Sequence, residues 1–447
     1  MGLIGLAATL FLLSLGSYPV VEARIASLPL PSILLSLLLS LLLLNSLAGY
    51  RTVLTRQDTV IFAAATFLAS WLLLVTVVSS AALGYAVDTH RYVGIAYIFV
   101  FPFLALVFRH LNARWLLWAL LGGTVLALVI GYTRFFTISG GVAAEHALGY
   151  WGIKYLPSTR NSDVLYPVIS SLVATGLYAT ARTRFTRTVL LFITIVSFAA
   201  VILSLSRGGW IALSAGYLSL LWITRRQHSV FRKRFRTVGA ILLAGIVIAT
   251  WLHLNESNTR YDAIVDRMQS IFDDVDPSVS NRDRLELAMH AASGILRNPV
   301  GVGVGNIAYA LELPVNSIGS AENAWLTVGL EGGWPALAAF SLFFFWLFAS
   351  ILPTSSHRKV QDDNHSQAVG IALVAAVFSY LMFNYELNSL FLWSVLAVAM
   401  STRRRNYHAI YRQDRGADGG VQCAGNDNRR IALDSRADPS GGRGNHC

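Results

Sequence analysis

The sequence has little charge for its length. Only 13% of its 447 residues are charged, against roughly a quarter in soluble proteins, and the mean hydropathy is +0.55. A mainly soluble protein is therefore excluded. The cysteines are also few, because Cys423 and Cys447 are the only two and both lie in the polar C-terminal stretch. This excludes a disulfide framework and a cysteine-based metal site.

Long hydrophobic runs recur along the chain and predict an all-α polytopic membrane bundle of about 12 transmembrane helices. Each span needs about 20 apolar residues at a rise of about 1.5 Å. The run 189–222 is too long for one span, so we divide it at Ser206-Arg207-Gly208-Gly209, where paired glycines permit a tight turn. The first run has no Lys or Arg before it, so we expect a span rather than a signal peptide. The predicted spans are residues 2–21, 28–48, 58–80, 92–108, 115–132, 164–181, 189–205, 209–223, 237–254, 323–350, 367–383 and 387–401.

The basic residues predict the sidedness of the connectors, since the net charge of +11 comes mainly from one alternating set. By the positive-inside rule this set is cytoplasmic, together with both chain termini. The net charge is thus explained by topology rather than by nucleic acid binding. The set contains Arg51, Arg56, Arg109, Arg114, Arg182, Arg184, Arg187, Arg225, Arg226, Arg232, Lys233, Arg234, Arg236, Arg358, Lys359 and Arg403 to Arg405.

The domain plan that follows is a transmembrane bundle over residues 1–401 and a disordered cytoplasmic tail over 402–447. A large extracytoplasmic loop, 255–322, separates the ninth and tenth helices. Within it, residues 282–297 are predicted to form an amphipathic helix, followed by a glycine-rich turn of close backbone approach at 301–305. The apolar face of that helix is expected to contain Leu285, Ala288, Ala292, Ile295 and Leu296.

Arginines from distant parts of the chain are expected at the outer membrane face: Arg160, Arg207, Arg282 and Arg284. Guanidinium groups bind phosphate bidentately and stay charged, so this set suits a diphosphate with a lipid tail. Glu322, at the mouth of the tenth span, could deprotonate a hydroxyl nucleophile.

Structural interpretations of the same residues stay open at this point. Arg207 could be a solvated anchor, and the stretch around Arg282 and Arg284 a solvated helix face. Glu322 could be the N-terminal cap of the tenth span. Asp274-Val275-Asp276 has a form that can hold a divalent metal with a nucleotide sugar, but nucleotide sugars are cytoplasmic and this loop is expected outside. We therefore predict no metal and no cofactor.

Three segments together resemble the O-antigen ligase and Wzy-type polysaccharide polymerase superfamily, over a core of about residues 160–401. The first resembles the family's Ser-x-Ser-Arg-Gly segment, the second its arginine-containing loop helix and Asn-Pro-x-x-Gly-x-Gly turn, and the third the opening of the span after the large loop. They are Ser204-Leu205-Ser206-Arg207-Gly208-Gly209, then Arg284-Leu285-Glu286-Leu287 with Asn298-Pro299-Val300-Gly301-Val302-Gly303, and then Glu322-Asn323 with Leu326, Glu331 and Gly332-Gly333.

This resemblance implies a metal-independent glycosyltransferase of the bacterial inner membrane that takes a glycan from undecaprenyl diphosphate. Arg207 and Arg284 would hold the departing diphosphate, and Glu322 would activate the acceptor hydroxyl. Arg160, Asn161, Arg282 and Asn323 would bind substrate. The acceptor would be a growing glycan or the lipid A core.

The residue before Asn323 is usually His in the ligases of the family, whereas here it is Glu322. This difference favours a polymerase of O-antigen or exopolysaccharide over a lipid A core ligase. A multi-span transporter or glycan flippase is the alternative from another class, and a structural membrane subunit is a third.

Overall fold

The computed structural model describes residues 2–17, 24–25, 28–47, 54–83, 89–138, 164–203, 206–224, 239, 281–311, 323–352, 363–384, 387 and 389–403. These residues are almost entirely helical. One antiparallel pair of two-residue strands, β1 (Arg24–Ile25) and β2 (Leu28–Pro29), joins Arg24 to Pro29 and Ile25 to Leu28. The helices are α1 (Gly2–Ser17), α2 (Leu30–Leu47), α3 (Arg56–Leu83), α4 (Thr89–Arg109), α5 (Ala113–Ile138), α6 (Leu165–Thr180), α7 (Arg184–Leu203), α8 (Arg207–Thr224), α9 (Asn281–Arg297), α10 (Ile307–Ala310), α11 (Ala324–Ile351), α12 (Asp363–Leu381) and α13 (Leu390–Ser401).

The helices match the predicted spans closely. Every predicted span coincides with a described helix except the ninth, 237–254, which lies almost wholly outside the described residues. Among the described residues, five helical segments are long and apolar enough to cross a membrane, and α1, α6, α8, α12 and α13 contain shorter apolar segments. The five are Arg56–Ala82, Tyr92–Arg109, Ala113–Thr133, Arg184–Ile202 and Ala324–Ile351. The protein is thus a multi-helix membrane protein.

The bundle is held together by pairs of helices that are often distant in sequence. Helix α3 packs against α11, α8 against α12, α1 against α5, and α4 against α13. Aromatic rings fill the centre, where Phe101 lies 5.1 Å from Phe343 and 5.8 Å from Trp393 between ring centroids. Such edge-to-face pairs add about 0.5–1.5 kcal/mol each beyond burial. Phe101, Phe343 and Trp393 are fully buried, so this cluster holds α4, α11 and α13 together.

One buried acid joins three connectors of the predicted cytoplasmic set. Asp58 lies 2.8 Å from Arg109 Nη1 and 3.1 Å from Arg403 Nη1, and it is only 3% exposed. Its carboxylate also accepts from the backbone N–H and the hydroxyl of Thr55 at 2.9 and 2.7 Å, while the Thr55 hydroxyl accepts from the Asp58 N–H at 3.2 Å. This capping box begins α3. The start of α3 and the ends of α4 and α13 therefore lie at the same end of the bundle.

Asp58→Ala is expected to destabilise the bundle by about 1–3 kcal/mol, because it leaves the partners of a buried acceptor unpaired. Asp58→Asn keeps an acceptor oxygen and should lose less. Thermal unfolding of the detergent-purified protein measures both. Equal unfolding midpoints for wild type and Asp58→Ala would contradict the proposed stabilising role of this residue.

Candidate active site

The start of α8 is the first component of the site. Ser206 accepts a hydrogen bond from the Gly209 N–H at 3.3 Å through its hydroxyl, so it caps the helix and Arg207 is the first helical residue. The predicted break at this point is confirmed as a break between the helices α7 and α8. The expected reason is wrong, because Gly208 and Gly209 lie inside the first turn of α8. A Cβ at Gly208 would collide with Asn384, and one at Gly209 with Val164, so these glycines permit close packing.

The start of α11 is the second component. The Asn323 side chain accepts hydrogen bonds from the Trp325 and Leu326 N–H groups at 2.8 and 3.1 Å, as an N-cap does. The sequence left Glu322 open as the N-cap of this helix, but Asn323 is the N-cap. Its short side chain lies directly beside the N–H groups of the first turn. Asn323 Nδ2 also donates to the Met382 carbonyl at 2.8 Å. An amide has two N–H hydrogens, so Asn323 has a second one for a further acceptor.

A single turn, residues 382–384, connects these two helix starts. Met382 binds Asn323, while Phe383 and Asn384 pack against Gly208. Asn384 is buried and is held by a 3.1 Å hydrogen bond from its Nδ2 to the Tyr380 carbonyl. The backbones of Arg207 and Asn323 therefore lie at the same end of the bundle. The predicted spans 367–383 and 387–401 divide the chain near this point, but the sequence did not assign the turn to the site.

Helix α9 is the third component and runs in the same direction as the first half of α11. Ile295 packs directly on Gly329, and further along both chains the Trp334 N–H donates to the Pro299 carbonyl at 3.0 Å. The helix predicted over 282–297 is confirmed. Its predicted apolar face is partly wrong, because Ala292 is exposed and Leu296 is 69% exposed. The buried face contains Ala291, Gly294 and Ile295, since small residues permit the close approach to α11.

This direction brings the start of α9 to the end of the bundle where α11 begins. Arg284 lies eleven residues before Ile295 on α9, or about 16 Å along a helix, and Asn323 lies about 9 Å before Gly329. Arg284 thus lies near the start of α9, about three turns before the residue that packs on Gly329. Arg282 belongs to the same first turn.

A break in α11 lies beside the glycine-rich segment 298–306. Gly333 has φ +67°, and Pro335 has no N–H for the Glu331 carbonyl. The segment supplies the missing partners, because Val302 and Gly303 donate to the carbonyls of Leu330 and Glu331 at 3.0 and 2.8 Å. We call this set of bonds, with Trp334 to Pro299, the loop–helix interlock. It confirms a turn of close backbone approach at 301–305.

Several predicted site residues lie outside the described residues, namely Glu322, Arg160 and Asn161. The Asp274-Val275-Asp276 segment also lies outside them. Within the part of the chain that the structure describes, no group of three or more His, Cys, Asp or Glu side chains is arranged to hold a metal ion. The described part of the site thus consists of three helix starts at one end of the bundle.

These features define a polytopic helical membrane protein with a candidate site at converging helix starts. Residues 191–341 match the O-antigen ligase family (Wzy_C), and this segment includes α8, α9 and the break in α11. The predicted resemblance to this family is confirmed over that segment, and the apolar helices together with the match point to a bacterial membrane protein. No curated protein sequence matches the chain significantly.

Proposed function

We propose that the protein transfers a glycan from undecaprenyl diphosphate to a sugar hydroxyl at the outer face of the bacterial inner membrane. The convergence of the starts of α8, α9 and α11 supports this most directly, since Arg207 and Arg284 belong to the first turns of two of these helices. Helix N-termini and guanidinium groups both favour anions. A diphosphate is the anion that fits such a set beside a membrane.

The transfer needs one bond to form and one to break. The acceptor oxygen attacks the anomeric carbon while Glu322 takes the hydroxyl proton, and the bond from this carbon to the diphosphate oxygen breaks. The diphosphate leaves with the electron pair, and Arg207 and Arg284 stabilise its developing charge. A diphosphate is already a good leaving group, so charge stabilisation can replace a metal ion. Arg160, Asn161, Arg282 and Asn323 position the glycan and its carrier.

Transport or flipping of a lipid-linked glycan has one observation in its favour, which is the broken helix α11. Transporters use unwound backbone groups to bind substrate or ions. In this protein three carbonyls at the break already have partners: the loop–helix interlock occupies those of Leu330 and Glu331, and Trp71 Nε1 donates to the Gly332 carbonyl at 2.7 Å. This pairing favours the transferase over the transporter.

Purified protein in liposomes should convert an undecaprenyl diphosphate-linked glycan into a longer or newly attached glycan and release undecaprenyl diphosphate. Mass spectrometry of the lipid and glycan fractions measures both products. Movement of the intact donor across the vesicle without any covalent change would contradict the proposal and support a flippase.

The surface polysaccharide of a deletion strain separates the two kinds of transferase. Loss of a polymerase should leave a product of one repeat unit, whereas loss of a ligase should leave lipid-linked polymer that is not attached to a core. We expect the one-unit product, because Glu322 stands where ligases of the family usually have His.

A further inference from the structure

We propose that Glu331 is a positioning residue for the transfer reaction, because its buried carboxylate fastens the segment after α9 to α11 and so fixes where Arg284 stands. This inference rests on the proposed function and adds a residue to it. Glu331 lies nine residues after Glu322, well inside the helix, so it acts through the backbone of the glycine-rich segment rather than on the substrate.

The contact is made by a side chain that is almost completely buried. Glu331 is 1% exposed, and its Oε1 accepts a hydrogen bond from the Gly305 N–H at 3.0 Å. The same residue's backbone carbonyl accepts from Gly303 at 2.8 Å. Glu331 therefore holds the segment at two points two residues apart, one through its backbone and one through its side chain.

Backbone conformation makes this segment dependent on such contacts. Gly301, Gly303 and Gly305 have φ values of +93°, +86° and +90°, which disfavour other residues. A Cβ at Gly301 would collide with the Glu331 carbonyl, and one at Gly333 with the Pro299 carbonyl. From the other side, Thr76 of α3 accepts from the Val304 N–H at 2.9 Å. A glycine-rich chain loses much conformational entropy on ordering, so each of these bonds helps to keep it in one conformation.

The contact between Glu331 and Gly305 lies far from Arg284 along α9, so a small change in the direction of this helix displaces Arg284. Arg284 lies about 16 Å beyond Ile295 along α9, and the segment that Glu331 holds is at the opposite end of this helix. A tilt of about 5° at that end would move the Arg284 backbone by more than about 1 Å over this length. Misplacement by about 1 Å can reduce a rate about 100-fold. A small tilt of α9 after loss of the Glu331 contact would therefore misplace Arg284 relative to the diphosphate.

Activity and geometry should change together in Glu331 variants. Glu331→Ala removes the acceptor and is expected to lower kcat/KM of transfer about 10- to 100-fold. Glu331→Gln keeps an acceptor oxygen at the same length and should stay within about threefold of wild type. Glu331→Asp keeps the charge but shortens the reach, so it should resemble Glu331→Ala.

The geometry is measured by electron–electron double resonance between spin labels on α9 and α8. The labels replace Met289 and Leu218, which are 58% and 65% exposed, in the full chain with Cys423 and Cys447 changed to Ser. The wild-type and Glu331→Gln proteins should give one narrow distance distribution, and Glu331→Ala a broader or shifted one. Asp58→Ala is the matched control, because it removes another buried acid and should leave this distance unchanged.

Two results would overturn the inference. One is a Glu331→Ala protein with wild-type distances and wild-type activity. The other is a Glu331→Gln protein as inactive as Glu331→Ala with unchanged distances, which would mean that the carboxylate charge acts on the reaction itself. If Glu331→Ala does not accumulate, the Asp and Gln variants decide by the same criteria. A wild-type protein without transfer activity would refute the proposed function, while the distances would still test the positioning role.

Discussion

Replacing Arg207 or Arg284 with alanine is expected to lower kcat/KM of glycan transfer at least 100-fold while the protein still inserts into the membrane. Each guanidinium is proposed to stabilise negative charge that develops on the departing diphosphate, and loss of one such donor typically costs a factor of about 100–1,000 in rate. The measurement is release of undecaprenyl diphosphate by purified protein under single-turnover conditions. Lysine at either position should restore only part of the rate, because an ammonium cannot bind phosphate bidentately.

The matched control is Arg114→Ala. Arg114 is an exposed arginine at the start of α5, in the connector predicted to be cytoplasmic, so its loss should not change the rate. The Arg207→Ala and Arg284→Ala double variant should be less impaired than the product of the two single effects, since both groups act on one diphosphate. Normal transfer by both single variants would refute the assignment of these arginines.

Replacing Glu322 with glutamine is expected to lower kcat about 100- to 10,000-fold, the usual contribution of a general base. An amide cannot take the acceptor proton, although it retains the size and hydrogen-bonding oxygen of the carboxylate. Binding of the lipid-linked donor should persist, because the arginines are unchanged. Donor binding is measured separately from turnover with the purified variant.

Glu322→His provides a sharper test through the pH profile. A base works in its deprotonated form, so activity falls as the pH drops below its pKa. Histidine ordinarily has a pKa of about 6.5 and glutamate about 4.3, so the acidic limb of the profile should shift upward by about two pH units in the variant. Glu286→Gln, a change of an exposed carboxylate on α9, is the control and should leave the profile unchanged. An identical acidic limb in wild type and Glu322→His would exclude this residue as the base.

The spans were predictable because crossing a bilayer requires a long apolar run, and that requirement is local in sequence. Helix α4 was predicted over residues 92–108 and occurs as Thr89–Arg109. The start of α3 is earlier than predicted, at Arg56 rather than residue 58, because Thr55 and Asp58 form a capping box ahead of the apolar run. A polar first turn does not raise the hydropathy of the sequence, so hydropathy alone places the start of such a helix too late.

The details of the site depend on contacts that are distant in sequence, and these were not predictable. The Asn323 amide binds the carbonyl of Met382, 59 residues away. The bond between Gly305 and Glu331 spans 26 residues. Gly332-Gly333 and Pro335 are visible as helix-breaking signals, but the sequence does not reveal which segment fills the break. The prediction of the buried face of α9 was partly wrong for the same reason. Ala291 and Gly294 are weakly hydrophobic, and they are buried because α11 packs against them.

The length of α11 bears on the depth at which the proposed site would lie in a bilayer. Its 28 residues would extend about 42 Å as one straight helix, against about 30 Å of hydrocarbon, and the break at Gly333 shortens this reach. If most of this excess lies at the outer end, the tip that carries Asn323 reaches the depth of the phospholipid phosphates. A diphosphate carrier would then keep its headgroup in the polar zone throughout the reaction, and only its polyprenyl tail would occupy the acyl region.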